Sequence, residues 1–161
     1  MSELKEFDDL VDPDEDSYET QPKLVKHLEK LYNLKFELDA AATDKNTICD
    51  YYLFNALYQE WILHPLSNKR VDVWCNPPHS LNEEFVRRAH AMWIKYNINI
   101  CVLIPQNTCS AGYYHELIES ETRCFVENHP LLKRPTFLKN GRKTKHGSRN
   151  AYQVIIFRKK S

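Results

Sequence analysis

The sequence predicts an α/β fold with a mostly parallel sheet and an antiparallel C-terminal edge. Three observations predict it. Asn99 to Ile104 (NICVLI) is apolar almost without interruption, as expected for a parallel strand buried on both faces. The run Val71-Asp72-Val73-Trp74-Cys75 breaks at Asn76-Pro77-Pro78, and a helical pattern follows almost at once. Strands that alternate with helices in this way build parallel sheets. The chain then closes on strand-like segments, Pro135 to Leu138 and Ala151 to Arg158, which suit an antiparallel edge.

Taken in order, residues 1–17 are acidic, contain Pro13 and read as an arm ahead of a single domain spanning 18–161. Thr20-Gln21-Pro22 opens a helix, because proline suits a first turn. Leu24, Val25, Leu28, Leu31 and Tyr32 then fall at helical spacing, and Asn33 is the expected stop. Lys35 to Asp39 alternates as a strand and ends in a carboxylate, followed by Ala40-Ala41-Ala42. Residues 43–54 read as irregular, 57–63 as a short helix and 65–70 as a loop.

After the strand 71–75, Asn82 is the expected N-cap of a helix over 83–96, with Glu83 and Glu84 in its first turn. Phe85, Val86, Ala89, Met92, Trp93 and Tyr96 form its apolar face. A loop over 106–112, a helix over 113–120 and a strand over 122–126 follow. Residues 139–150 (KNGRKTKHGSRN) read as a basic loop.

A length of 161 residues with 42% hydrophobic residues suits one domain with a real core. Five scattered cysteines, with no CxxC pair, indicate neither a zinc ribbon nor a disulfide framework, and imply a reducing compartment. No apolar stretch approaches the roughly 18 residues of a membrane span, so a soluble, cytoplasmic protein is expected. No pair of histidines has metal-ligand spacing, so no metal is expected. With three glycines and no Walker or GxGxxG motif, a glycine-cradled phosphate site is not expected. The zero net charge hides an asymmetry. Residues 1–19 carry nine acids and one lysine, while 131–161 carry ten Lys and Arg and no acid. A basic tail of this kind suits a polyanion, although mutual attraction of the two ends accounts for it as well.

The strand that ends in Asn76-Pro77-Pro78-His79 carries the sharpest chemical signal. Neither proline has an N–H, so the ladder stops there. The Asn76 amide and the Pro77 carbonyl are then rigid acceptors at the carboxyl end of a strand, where open α/β sheets bind ligands. Two acceptors side by side suit a flat exocyclic amine.

Asn-Pro-Pro after an apolar strand resembles the catalytic motif of amino-methyltransferases that use S-adenosylmethionine. Gln21-Pro22, Leu38-Asp39-Ala40-Ala41-Ala42, Asn46, Cys49, Leu57, Trp61, Trp74-Cys75-Asn76-Pro77-Pro78, Leu103-Ile104-Pro105 and Val154-Ile155-Ile156-Phe157 occur in the order seen in the phage-type, Dam-like DNA N6-adenine methyltransferases. The resemblance runs from about Tyr18 to Phe157. It implies a compact Rossmann-like methyltransferase fold, S-adenosyl-L-methionine as cofactor, and duplex DNA with a flipped adenine as partner. It implies catalytic roles for Asn76, Pro77, Pro78 and His79. It implies cofactor contacts from Thr20, Gln21, Pro22, Asp39, Ala40, Ala41 and Asn55.

Two departures from the family pattern stand out. The fourth motif residue is usually tyrosine, phenylalanine or tryptophan, and here it is His79, a smaller ring that titrates near neutral pH. Asn55-Ala56-Leu57 stands where the family often has Asp-Gly-Leu, so a carboxylate is exchanged for an amide. A catalytically silent descendant that binds nucleic acid or a protein partner, and an enzyme acting on RNA or glutamine amines, are the alternatives. Asp39 reads equally as a strand-end cap. Tyr113 and Tyr114 read as core or rim. Arg142, Lys143, Lys145 and Arg149, with Gly141 and Gly147, suit phosphate contacts, or simply a solvated loop.

Overall fold

The computed structural model describes residues 20–42, 46–63, 69–118, 125–131, 135, 137–139, 142–143 and 151–160. The acidic arm, residues 122–124 of the strand expected at 122–126, Gly141, Gly147, Lys145 and Arg149 lie outside them. The elements are α1 (Pro22–Tyr32), β1 (Phe36–Asp39), β2 (Tyr51–Tyr52), β3 (Asp72–Cys75), α2 (Asn82–Tyr96), β4 (Ile100–Pro105), α3 (Gly112–Ile118), β5 (Val126–Pro130), β6 (Leu138–Lys139), β7 (Arg142–Lys143) and β8 (Tyr152–Phe157). Six strands form one sheet in the order β2-β1-β3-β4-β8-β5, and β6 and β7 form a separate hairpin. β2, β1, β3 and β4 are mutually parallel, whereas β8 runs antiparallel to both β4 and β5. The α/β fold with a mostly parallel sheet and an antiparallel C-terminal edge is therefore present. No helix among the described residues is long and apolar enough to cross a membrane.

Strand side chains alternate between two cores. Leu38, Val73, Cys75, Ile100, Val102, Ile104, Ile155 and Phe157 pack with Phe85, Val86, Ala89, Met92 and Trp93 of α2 and Tyr113, Tyr114 and Ile118 of α3. Phe36, Trp74, Cys101, Leu103, Tyr152, Val154 and Ile156 pack on the other face with Val25 and Leu28 of α1 and with Phe137. α1 therefore covers one face and α2 with α3 the other. Tyr113 and Tyr114 are core residues.

Several expectations are corrected. Residues 57–63 are not a helix: a 3-10 turn covers only Ala56–Tyr58, and Leu63 makes an isolated bridge to Lys69. The reason is Trp61, which is fully buried. Its indole N–H donates to the Ala56 carbonyl (2.9 Å) and its backbone N–H meets the Met92 sulfur (3.5 Å), so the segment folds around one indole. Asn82 is not an N-cap. A 3-10 turn at His79–Leu81 runs directly into α2, and the Asn82 N–H bonds the His79 carbonyl. The expected loop at 106–112 contains a 3-10 turn at Gln106–Ser110, with the Thr108 hydroxyl on the Pro105 carbonyl (2.7 Å). Tyr51–Tyr52 is a short edge strand within the stretch read as irregular. The C-terminal partner of β8 is Val126–Pro130, a segment with no apolar alternation, and the expected strand over 135–138 is displaced to a hairpin at Leu138–Lys139 and Arg142–Lys143. This hairpin replaces the start of the expected basic loop.

Asn33 and Asn97 end α1 and α2 in the left-handed region (φ 55° and 51°). Asn97 also ties down the C-terminus: its Oδ1 accepts the Lys160 N–H (2.6 Å) and its Nδ2 donates to the Lys160 carbonyl (2.8 Å). Asn97→Ala and Asn97→Gly both lose these bonds, but only alanine meets the left-handed penalty. Urea unfolding should therefore find Asn97→Ala less stable than Asn97→Gly by about 1 kcal/mol. Equal stabilities would show that the backbone at Asn97 carries no such cost.

Candidate active site

The carboxyl ends of β1, β3 and β4 lie along one edge of the sheet, and β8 begins on that edge, since Tyr152 pairs with Pro105. This edge brings together Thr20, Asp39 to Ala41, Asn76 to His79, and Tyr152.

Asn76 follows the last residue of β3. Its Nδ2 donates to Thr20 Oγ1 (2.8 Å). Thr20 is buried just ahead of α1, so the hydroxyl that receives this bond is itself held. Gln21 is the N-cap and Pro22 the first residue of α1, with the Gln21 carbonyl accepting the Leu24 N–H (3.0 Å). The Pro78 carbonyl takes the Leu81 N–H (2.9 Å) and the His79 carbonyl takes that of Asn82, so the turn does not use the Pro77 carbonyl for these bonds.

The His79 imidazole does not stand alone. Its Nε2 is 2.5 Å from the Tyr152 hydroxyl, and the ring centroids are 5.9 Å apart. Sequence reasoning missed Tyr152, because 73 residues separate it from His79 and its apolar neighbours read only as a strand. Tyr152 also meets Phe137 edge-on at 5.1 Å. Phe137 immediately precedes the hairpin whose second strand is β7, Arg142–Lys143.

Asp39 takes the role of a cap. Its Oδ1 accepts the Ala41 N–H (3.1 Å) and its Oδ2 the Ile48 N–H (3.2 Å). Ala40 and Ala42 are buried, and the Ala40 N–H crosses to the Trp74 carbonyl of β3 (2.8 Å). The small side chains thus let the backbone after β1 lie against β3. Asn55 lies further out on this rim and is exposed, two residues after Leu53, whose N–H bonds the Asp39 carbonyl (2.9 Å). Its left-handed backbone (φ 58°) favours Asn or Asp whatever the side chain binds. Tyr51, Phe54 and Tyr58 are exposed around it. Burial pushes the Cys75 and Cys101 thiols well above their ordinary range, so they are core groups and not nucleophiles. Among the described residues, no three His, Cys, Asp or Glu side chains group as a metal site.

The family described as DNA N-6-adenine-methyltransferase (Dam) matches the chain over residues 8–161. The chain belongs to this family. A DNA N-6-adenine-methyltransferase of Escherichia phage T1 is 31% identical over 101 residues, 61% of this chain and 39% of the relative. The match thus spans about two fifths of that relative's length. The architecture found here agrees with a methyltransferase fold, and Asn76 to His79 follow the end of β3.

Asp39 differs electrostatically from an ordinary surface carboxylate. At 3% exposure, burial raises its pKa to about 6, and the two N–H bonds only partly offset this. Because the folded pKa lies above the unfolded one, the unfolded chain releases its proton first as pH rises. This contribution to stability is therefore lost between about pH 4 and about pH 6 and is level above. A shift of this size corresponds to about 3 kcal/mol. Relative to wild type, Asp39→Asn should gain up to that amount on going from about pH 4 to about pH 7 in urea unfolding. A difference that stays flat with pH would mean that the carboxyl ionises as easily folded as unfolded.

Proposed function

We propose that this chain transfers a methyl group from S-adenosyl-L-methionine to the N6 amine of adenine in DNA. The observation that carries the proposal is the place of the Asn76-Pro77-Pro78-His79 turn directly after β3, at the carboxyl edge of the sheet, with the Asn76 amide held against Thr20 Oγ1 (2.8 Å). The Asn76 oxygen and the Pro77 carbonyl accept hydrogen bonds from the adenine amine. This returns lone-pair density to nitrogen and aims it. Pro78 keeps the turn rigid, and His79 faces the flipped base. When bound, S-adenosyl-L-methionine supplies an electrophilic methyl group. Thr20, Gln21, Pro22, Asp39, Ala40, Ala41 and Asn55 line the cofactor side. The small alanines and the buried Asp39 cap suit a ligand that lies close against the backbone. No strong base is needed, because orientation and fixed dipoles supply the rate enhancement and the methylated amine gives up its proton readily to water.

Arg142, Lys143, Lys145 and Arg149 supply phosphate contacts, and residues 18–161 act as the catalytic domain behind an acidic arm. Such an enzyme works in the cytoplasm of a bacterial or virus-infected cell. The engagement of His79 by Tyr152 also supports a second reading, a silent methyltransferase-fold protein that binds nucleic acid without acting on it.

Calorimetry with S-adenosyl-L-methionine and tritiated methyl transfer to duplex against single-stranded DNA separate the two. Asn76→Ala should lose transfer by on the order of 100-fold with cofactor affinity retained. An unaffected Asn76→Ala protein, or no cofactor binding at millimolar concentration, would sink the enzyme. DNA binding should weaken with salt. Changing Arg142, Lys143, Lys145 and Arg149 together to alanine should flatten the slope of log K against log salt by roughly 3 to 4. An unchanged slope would move the phosphate contacts elsewhere.

A further inference from the structure

Tyr152 is held from several sides at the edge that carries the turn. Its carbonyl accepts from Gln106 Nε2 (3.0 Å) and from the Leu131 N–H (2.9 Å). Its backbone pairs with Pro105 of β4, its ring meets Phe137, and only 1% of it is exposed. A hydroxyl on so fixed a ring is a fixed point. It reaches His79, the turn position that the family usually fills with a larger aromatic. An imidazole by itself has a broad χ2 preference and two nitrogens of interchangeable role. A bond through Nε2 lies in the imidazole plane, so it restrains the rotation of the ring without using either face.

We infer that Tyr152 is a positioning residue for His79: its hydroxyl holds the imidazole plane at the angle that receives the flipped base, so that a smaller ring does the work of a tyrosine or phenylalanine. The inference rests on the methyltransferase reading of the turn. It also accounts for a histidine at this place, because histidine supplies an in-plane partner for the phenol that phenylalanine lacks. Through Phe137, the same phenol is buttressed by the residue that precedes the basic hairpin.

Tyr152→Phe removes one oxygen and keeps the packing against Phe137. In the full chain, nitrogen NMR of the His79 imidazole should show a changed Nε2 signal in the variant. The turnover number for methyl transfer to duplex DNA should fall about 10- to 100-fold, as expected for a misoriented contact, while calorimetric affinity for S-adenosyl-L-methionine is kept. In a His79→Phe background, adding Tyr152→Phe should cost no further turnover. A lower melting temperature with unchanged turnover, an unchanged imidazole signal, or an equal loss in the His79→Phe background would each overturn the positioning role. A wild-type protein that methylates no nucleic acid would remove the enzyme reading and the role of Tyr152 with it. The imidazole signal would still report separately whether the bond exists.

Discussion

Strand β3 has to stop at Cys75, and the shape of the site depends on that stop. Pro77 and Pro78 offer no N–H to a neighbouring strand. Cys75 pairs with Val102, yet β4 continues through Leu103 and Ile104 to Pro105, supported only by β8 on its other side. The two strand ends are therefore staggered. The space beside the last residues of β4 is occupied by the turn instead of by a strand. This stagger lets His79 reach across the end of β4 to Tyr152, the β8 residue that pairs with Pro105.

The two edges of the sheet spend their polar groups differently. At the amino edge they close the fold: Asp72 accepts from the Lys35 N–H (2.9 Å) and from Asn99 Nδ2 (3.0 Å), and Asn99 Oδ1 accepts the Lys159 N–H (2.7 Å). These bonds tie β1, β3, β4 and the C-terminal segment together, two of them to backbone N–H groups and one between side chains. At the carboxyl edge the bonds run between side chains, from Asn76 to Thr20 and between Tyr152 and His79. Asp39 belongs to both kinds, since it is buried at the functional edge yet holds backbone N–H groups. A rigid amino edge frees the carboxyl edge to carry side chains whose angles matter.

Much of this was legible along the chain. The unbroken apolar run at β4, the proline stop after β3 and the apolar face of α2 each report a burial pattern that local sequence sets directly. The failures have physical causes. Leu57, Trp61 and Ile62 imitate helical spacing, but one buried indole organises the segment. Asn82 looked like a cap because Asn is a good one, but the preceding 3-10 turn had already satisfied its N–H. Val126 to Pro130 gave no strand signal because an edge strand is chosen by its partner, here β8, more than by its own residues. The motif itself was visible as a motif. What orients it was not, because Thr20 lies 56 residues before Asn76 and Tyr152 lies 73 after His79.

Those two distant bonds bear on how the motif should be compared with its relatives. If transfer depends on aim more than on acid or base strength, then Asn76 and His79 act together with Thr20 and Tyr152, and the unit that matters is four residues drawn from both ends of the chain. Replacing His79 by the tyrosine or phenylalanine common at this place is then no isolated restoration. A phenylalanine would take an in-plane partner away from a hydroxyl that is buried, and losing such a partner costs about 1–3 kcal/mol. A tyrosine would add a second hydroxyl to the same confined space. Histidine at 79 and tyrosine at 152 are better understood as one choice, made at a strand end where only a ring with a nitrogen in its plane can meet the phenol that β8 presents.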